Sequence, residues 1–391
     1  MLRGVHRLAA LIVLVVPCAA GAERVELNAV GDVSWPEIGF ALDVVDAKGA
    51  GLFALAEPHV ASGDLNFANL ECPFTVRAPR AVKTYSYACD PKRLSYLVDA
   101  GFNLFSLANN HALDAGEEGA ADTRAALAAL STPERPLFFA GTADTPDQAQ
   151  LPVRFVIPGK STRVAVFAVT NAPAGSGVGS LGSPELTDRI AAAARAADIV
   201  IVSVHNGPEY IHVATADTVA RYHELIDAGA AVVLGHHPHV VQGIERYRRG
   251  VVFYSLGNFS FASHTLRHKE TGARMYSMIG HVVFEDGAVR EVTVVPLYVN
   301  NAEPWTVAGA TLAPLDCTPQ PLTGAFARAA LAEFQDFGAA LPGAAPTRII
   351  VDGDIGRVEP SDRAIAVANP RAVKPLAKPA PARRHRPPHR R

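Results

Sequence analysis

Five apolar runs in this chain stop at residues that can hold a metal ion or move a proton. Val25 to Val30 ends at Gly31-Asp32, Leu65 to Asn69 at Leu70-Glu71, and Asn103 to Leu107 at Ala108-Asn109-Asn110-His111. Ile199 to Val204 ends at His205, and Val232-Val233-Leu234 at Gly235-His236-His237-Pro238-His239. Short apolar runs bounded in this way read as buried strands. In an open α/β sheet, ligands collect just beyond the carboxyl ends of the strands, so residues far apart in sequence converge there. Carboxylate, amide and imidazole donors without thiolate suit Mn, Fe or Zn. Two such ions ~3.5–4 Å apart would polarise a substrate and generate hydroxide near neutral pH. A lone histidine after a strand is more often a satisfied structural residue, but five coincidences of position and chemistry favour a shared site.

The segments between these runs must bring their ends together. Pro91 to Ala100 reads as a helix leading into Asn103 to Leu107, and Glu118 to Leu130 is an Ala-rich helix. Arg163 to Val169 is a strand, Pro184 to Ala197 a helix feeding Ile199 to Val204, and Ala216 to Ala228 a helix preceding Ala231 to Leu234. Helix and strand periods in alternation predict a layered α/β fold rather than separate α and β blocks. Val251 to Leu256, Gly280 to Phe284 and Val289 to Pro296 add strands, with Glu285-Asp286-Gly287-Ala288 as a hairpin signal between the last two. The sheet is therefore expected to be mixed. Further on, the pattern predicts a helix from Gly324 to Phe334 and a short strand from Arg348 to Val351.

With 391 residues and 49% apolar composition, the chain can bury a sizeable core in one large domain or two ordinary ones. Arg3 and Arg7, an apolar stretch from Leu8 to Val16 and the small residues Ala20-Gly21-Ala22 have the layout of a secretory signal cleaved after Ala22. That stretch is too short to span a bilayer, which takes ~20 residues. Cys18 raises the alternative of a lipoprotein cysteine, which Pro17 directly before it disfavours. The expectation is a periplasmic or secreted protein whose folded domain occupies residues 23–360. Cys72, Cys89 and Cys317 then sit where disulfides persist; Cys72 and Cys89 either close a short loop or are small buried hydrophobes.

The formal net charge of −2 hides an asymmetry. Eight of the 36 Lys and Arg lie in residues 371–391 and two in the first 22, leaving 26 against 38 acids in residues 23–370. Prolines from Pro370 to Pro388 break any helix, so residues 361–391 are expected to form a basic, disordered tail. Such a tail meets anionic envelope material or no specific partner. Export argues against nucleic acid.

Six stretches occur in a telling order: Gly31-Asp32, Asn69-Leu70-Glu71-Cys72-Pro73, residues 106–116 from Ser106-Leu107-Ala108-Asn109-Asn110-His111 to Asp114-Ala115-Gly116, His205-Asn206-Gly207-Pro208-Glu209-Tyr210, Gly235-His236-His237-Pro238-His239-Val240-Val241-Gln242, and Tyr254-Ser255-Leu256-Gly257-Asn258-Phe259. Together they resemble the bacterial poly-γ-glutamate capsule synthesis family, the CapA family, whose fold is similar to that of calcineurin-like metallophosphoesterases. The resemblance implies two mixed β-sheets packed as a sandwich flanked by helices. It also implies two divalent ions, or only one: Asp32 and His239 on the first, Asn110, His205 and His237 on the second, and Glu71 between them. Asp64 and Asn69, on the same segment, leave the bridging position open. His111, beside a ligand, would serve as a general acid or steady developing charge, with Asp114 orienting its ring. Asn258 and Asn206 are placed as substrate contacts.

Two positions depart from the pattern. Asp32-Val33-Ser34 lacks the histidine of the Asp-x-His that metallophosphoesterases carry, which predicts a weak or missing first ion. Asn206 stands where an aromatic residue is common in the family. The implied function is that of an exported metal-dependent hydrolase acting on a phosphoester or a γ-glutamyl amide, in synthesis, trimming or export of an anionic capsular polymer, alongside a membrane-bound synthase. The alternative is a non-catalytic factor that holds polymer or synthase.

Rival motifs are weaker. The glycine pattern of Gly177 to Gly182 is separated from its strand by Asn171-Ala172-Pro173-Ala174, and His264 and His268 lack an intervening Glu. Asp114 is also a plausible helix cap. Glu245 and Tyr247 are further residues that could line the cleft.

Overall fold

The computed structural model describes residues 22–171, 177–263, 267–344 and 347–360. The expected signal segment, apart from Ala22, and the expected tail from residue 361 lie outside the described residues. Each apolar run folds as a strand. β1 (Arg24–Ser34), β2 (Leu65–Leu70), β3 (Leu104–Ser106) and β4 (Phe138–Ala140) lie parallel, side by side. A second sheet contains β5 (Val153–Val156), β6 (Arg163–Thr170), β7 (Ile199–His205), β8 (Val232–His236), β9 (Ile244–Tyr247) and β10 (Gly250–Phe253). Its order is β5-β6-β7-β8-β10-β9, parallel except at the two edges.

β11 (Asn258–Phe261) returns to the first sheet beside the end of β1. The hairpin of β12 (Tyr276–Glu285) and β13 (Ala288–Tyr298) extends that sheet on the same side of β1 as β11, opposite β2. A small separate hairpin pairs β14 (Trp305–Val307) with β15 (Ala310–Leu312). β16 (Gln320–Pro321), β17 (Arg348–Asp352) and β18 (Ile355–Glu359) complete the first sheet in the order β17-β18-β13-β12-β1-β2-β3-β4, with β11 and β16 alongside β1 and β13. Both sheets are mixed.

Alternation along the strands sets the layers. Val25, Leu27 and Phe67 of the first sheet meet Val166, Ile201, Leu234 and Phe253 of the second in one central core. The outer face of the first sheet, with Val33, Ala68 and Phe105, is covered by helices that include Leu94–Asp99 and Gly116–Leu130. The outer face of the second, with Phe167, Val202 and Val233, is covered by Leu186–Ala194 and Ala216–Asp227. Burial on both faces is why these strands appear as unbroken apolar runs. The resulting layering of two sheets between helices is the one the resemblance implies.

Two glycines let the strand ends approach. The chain leaves β10 at Phe253, three residues before the apolar run ends at Leu256, because the segment that follows crosses from the second sheet to the first. Leu256 N donates to Gly235 O and Asp32 N donates to Gly257 O, each at 3.0 Å. A Cβ on Gly235 would sit 2.0 Å from Tyr254 O, and one on Gly31 would sit 1.7 Å from Gly257 O, so neither position admits a side chain. The crossing sets Asn258 in register with Asp32. It therefore ties the sheets together at the edge where the candidate ligands emerge. Nearby, Cys72 and Cys89 are joined in a disulfide, while Cys317 is free and buried. Among the described residues, no helix is long and apolar enough to cross a membrane.

Candidate metal centre

His205 and His236 end β7 and β8 in the same alternation phase as Ile201 and Leu234, so both rings face the space between the sheets. Asp32 follows an irregularity in the pairing of β1 with β2, Glu71 follows β2, and Asn110 comes shortly after β3. His237 and His239 follow β8. The first sheet thus delivers carboxylates and an amide, and the second delivers imidazoles.

They assemble as two groups that share Glu71. Ligand atoms of Glu71, His205 and His237 lie within 4.8 Å of one another, as do those of Asp32, Glu71 and His239. In the first group, His205 Nε2 is 3.0 Å from His237 Nδ1, 3.4 Å from Glu71 Oε1 and 2.9 Å from Asn110 Oδ1. Donors bonded ~2.1 Å from one ion, at about 90–110° to each other, stand ~3.0–3.4 Å apart. The three distances from His205 Nε2 are close to that spacing. In the second group, His239 Nδ1 is 3.9 Å from both Asp32 Oδ2 and Glu71 Oε2, and it faces Asn258 Oδ1 at 2.9 Å. The second group is wider and has fewer donors.

Glu71 is fully buried, and among the described residues neither carboxylate oxygen has a hydrogen-bond partner. A buried charge is costly unless it is paired or bound to metal. Burial, with the adjacent Asp32 carboxylate, pushes the Glu71 pKa well above the usual range. An orphaned carboxylate shared by two sets of imidazoles fits a pair of divalent cations. Asp32 behaves differently: burial opposes its charge, but contact with His236 and the nearby His205 and His239 hold its pKa well below the usual range. Asn69 Nδ2 donates to Asp32 Oδ1 at 2.8 Å, which leaves Oδ2 toward His239.

Desolvation, reinforced by His237, lowers the His205 pKa well below its ordinary value. Desolvation and His239 together bring His237 to about 4. Both rings are therefore neutral at neutral pH, the form that binds a metal. His237 and His239 also adopt positive φ angles of 93° and 59°. Such a conformation costs of order 1–3 kcal/mol per non-glycine residue, and strain of this kind collects at functional sites.

Beside the first group, His111 Nδ1 lies 2.7 Å from Asp114 Oδ2. The ionised carboxylate only accepts, so Nδ1 carries the proton and Nε2 is left for chemistry. Lys83 Nζ is 2.6 Å from Asp114 Oδ1 and donates to Asn110 O at 2.7 Å. Tyr87 N donates to Asp114 Oδ2 at 2.7 Å, and its ring stacks on His111 at 4.2 Å. Burial lowers the His111 pKa, and Asp114 opposes that shift.

The model of the family described as bacterial capsule synthesis protein PGA_cap matches residues 26–263, the stretch that carries all of these side chains. The chain belongs to this family. A capsule biosynthesis protein CapA of Bacillus anthracis is 28% identical over 305 residues, covering 74% of this chain and 71% of its own. The PGA biosynthesis protein CapA of Bacillus subtilis strain 168 is 28% identical over 276 residues, covering 68% and 69%. Among solved structures, a hypothetical protein from Thermus thermophilus aligns with a TM-score of 0.42 at 19% identity, over 69% of this chain and 98% of that one.

In this PGA_cap chain the six ligand candidates meet, and other expectations shift. Asp64 is excluded as the bridge: it lies at the opposite end of β2, about 20 Å from Glu71 at ~3.3 Å per residue, paired with Lys160 at 2.7 Å. Asn69 Nδ2 donates to Asp32, and its Oδ1 is buried without a hydrogen-bond partner among the described residues. Asn258 reaches the site as the partner of His239. Asn206 turns aside: its Nδ2 donates to Thr218 Oγ1 at 3.2 Å, and it lines a neighbouring cleft with Asn171, Gly207 and Arg221. Asp114 does not cap the helix Gly116–Leu130, whose N-cap is Ala115. Glu245 and Tyr247 sit with His223 on the outer side of the second sheet, away from the centre. His268 pairs with Glu303 at 3.1 Å, and His264 lies outside the described residues.

Sequence reasoning missed His236, Lys83 and Tyr87. His236 Nδ1 comes within 3.0 Å of Asp32 Oδ1, and its two-residue offset from Leu234 was a usable signal. Lys83 and Tyr87 lie in the loop closed by Cys72 and Cys89, and no local pattern marks them. Ser34, standing where the Asp-x-His histidine would be, donates to Glu71 O at 3.1 Å.

Proposed function

We propose that the protein is an exported, metal-dependent hydrolase of the capsule synthesis family, acting on an anionic capsular polymer such as poly-γ-glutamate during its synthesis, trimming or export. The observation that carries this reading is Glu71, buried, with neither oxygen hydrogen-bonded among the described residues, and common to two ligand groups. Asp32, Glu71 and His239 would hold one divalent ion; Glu71, Asn110, His205 and His237 would hold the other. Bound there, Mn, Fe or Zn supplies Lewis acidity and a hydroxide near neutral pH.

The chain's own residues manage the proton. Asp114 fixes the His111 tautomer, Lys83 and Tyr87 brace that pair, and His111 Nε2 in its protonated form gives a proton to the leaving group. The donor set suits a phosphoester, whereas relatives named for capsule and PGA biosynthesis favour a γ-glutamyl amide. The signal layout and the bridge between Cys72 and Cys89 support export. A purely structural assembly factor would not need an acid–base pair beside its metal ligands.

Elemental mass spectrometry on purified mature protein, with aryl-phosphodiester and γ-glutamyl assays on the same sample, tests the reading. The expected result is about two ions per chain, with turnover lost on chelation and restored on reloading. A folded protein that takes up no ion after reloading would leave the assembly role instead.

A further inference from the structure

At the end of the sandwich away from the metal centre, a cleft of about 970 Å³ opens where β7 and β8 begin and the β9–β10 and β12–β13 turns meet. Its walls carry Arg246, Arg248, Arg249 and Arg290 together with three aspartates. The aspartates are committed. Asp198 pairs with Arg163 at 2.7 Å, Asp227 with Arg248 at 2.9 Å, and Asp286 accepts from Glu23 N at 3.0 Å. Arg290 lies 3.4 Å from Glu285. Among the described residues, the guanidinium groups of Arg246 and Arg249 have no carboxylate or other acceptor; the hydrogen bond of Arg246 is made by its backbone N, to Thr347 Oγ1.

Arg246 is half-buried. On β9 it lies two residues from Ile244, whose side chain joins the central core, so it points to the same inner face. Burial lowers its pKa, but a guanidinium stays charged, and a bound anion would offset the cost of that partly desolvated charge. Arg248 adopts a φ of 52° in the two-residue turn between Tyr247 and Gly250, where glycine or asparagine is the usual occupant. Arg248 is accounted for by its ion pair with Asp227 and by its position 5.4 Å over the Tyr247 ring, so the turn leaves Arg246 and Arg249 as the uncommitted pair.

We propose that this cleft is an anion-binding site separate from the metal centre, taking a carboxylate-bearing chain through Arg246 and Arg249. A guanidinium fork pairs with a carboxylate in two parallel hydrogen bonds. Residues 23–370 carry an excess of acids that repels polyanions, so within that part of the chain an uncommitted arginine cleft is where such a polymer would be retained. Naming the anion as a glutamyl carboxylate rests on the proposed function.

The test is calorimetric titration of the full mature protein with γ-glutamyl oligomers of defined length and, separately, with inorganic phosphate, at low and high salt. Arg246→Gln combined with Arg249→Gln should weaken oligomer binding by about tenfold or more, with the melting temperature and metal content unchanged. His237→Ala combined with His239→Ala should leave oligomer binding at the cleft intact. Oligomer affinity unchanged in the arginine variant would overturn the site. Arginine-dependent binding of phosphate but not of oligomer would support the cleft and overturn the glutamyl identity. Loss of metal in the arginine variant would place its effect at the other end and overturn the separation. Absence of metal from the wild type, with arginine-dependent oligomer binding intact, would sink the hydrolase reading and leave this one standing.

Discussion

The two halves of the metal centre share a carboxylate but are built differently. Around Glu71 Oε1 the second sheet supplies His205 and His237 and the first adds Asn110, with His205 Nε2 between 2.9 and 3.4 Å from the other three donors. Around Glu71 Oε2 there are Asp32 and His239, with 3.9 Å from imidazole to each carboxylate. Ser34 occupies the place of a further imidazole and is tied to the Glu71 carbonyl. In the tight half His205 is held by the pleat at the end of β7, and His237 follows β8 directly. The wide half depends on Asn69, His236 and Asn258 to keep its few donors aimed. One ion should therefore bind firmly and the other weakly, with supporting residues mattering more to the second.

The largest effect is expected from His237→Ala combined with His239→Ala, which takes a ligand from each half. Bound metal should vanish while circular dichroism stays native; full occupancy would remove this centre from consideration. The single variants His205→Ala and Asp32→Asn should each lose one ion, and the ion kept by Asp32→Asn should be the tighter one by competition with chelator. Loss of both ions from either variant would show that the halves are a single cooperative unit.

Next in size, His111→Ala should reduce kcat by ~10²–10⁴-fold with metal content unchanged. Asn258→Ala should weaken only the looser ion, by ~10–100-fold, measured by metal titration; equal weakening of both ions would erase the contrast between the halves. The smallest change is in pH dependence. Asp114 raises the His111 pKa against the lowering effect of burial, so Asp114→Asn should lower it further. Activity that needs protonated His111 falls as pH rises through that pKa, so the alkaline limb of the kcat profile should move to lower pH. An unmoved limb would separate the pair from proton transfer.

Much of this centre was legible because its ligands end apolar runs. A strand buried on both faces advertises itself, and the polar residue that stops it advertises the edge. Asp32, Glu71, Asn110, His205, His237 and His239 were all found in that way. Register was harder. Asp64 and Glu71 belong to one segment, and only the extent of β2 places them at opposite ends. Asn206 follows a ligand directly, yet the chain turns there and its amide goes to Thr218. The crossing from Tyr254 to β11 was hidden because its partners, Gly31 and Gly235, are distant in sequence and mark the contact only by lacking a side chain. Lys83 and Tyr87 reach His111 through a cross-linked loop with no period to detect. Alternating helix and strand periods pointed to a layered α/β fold, the two-sheet sandwich came from the family resemblance, and the small hairpin β14–β15 and the edge strand β9 came from neither.

That the donors come from both sheets has a thermodynamic consequence. Ions held between Asp32, Glu71 and Asn110 on one side and His205, His237 and His239 on the other would staple the halves of the sandwich, next to the crossing at Gly257 that already joins them. A ligand that binds only the folded chain stabilises it by ~2.7 kcal/mol at a hundredfold excess over its dissociation constant. Occupancy would then be written in resistance to heat, and a series of melting curves across Mn, Fe and Zn would rank the metals without any substrate.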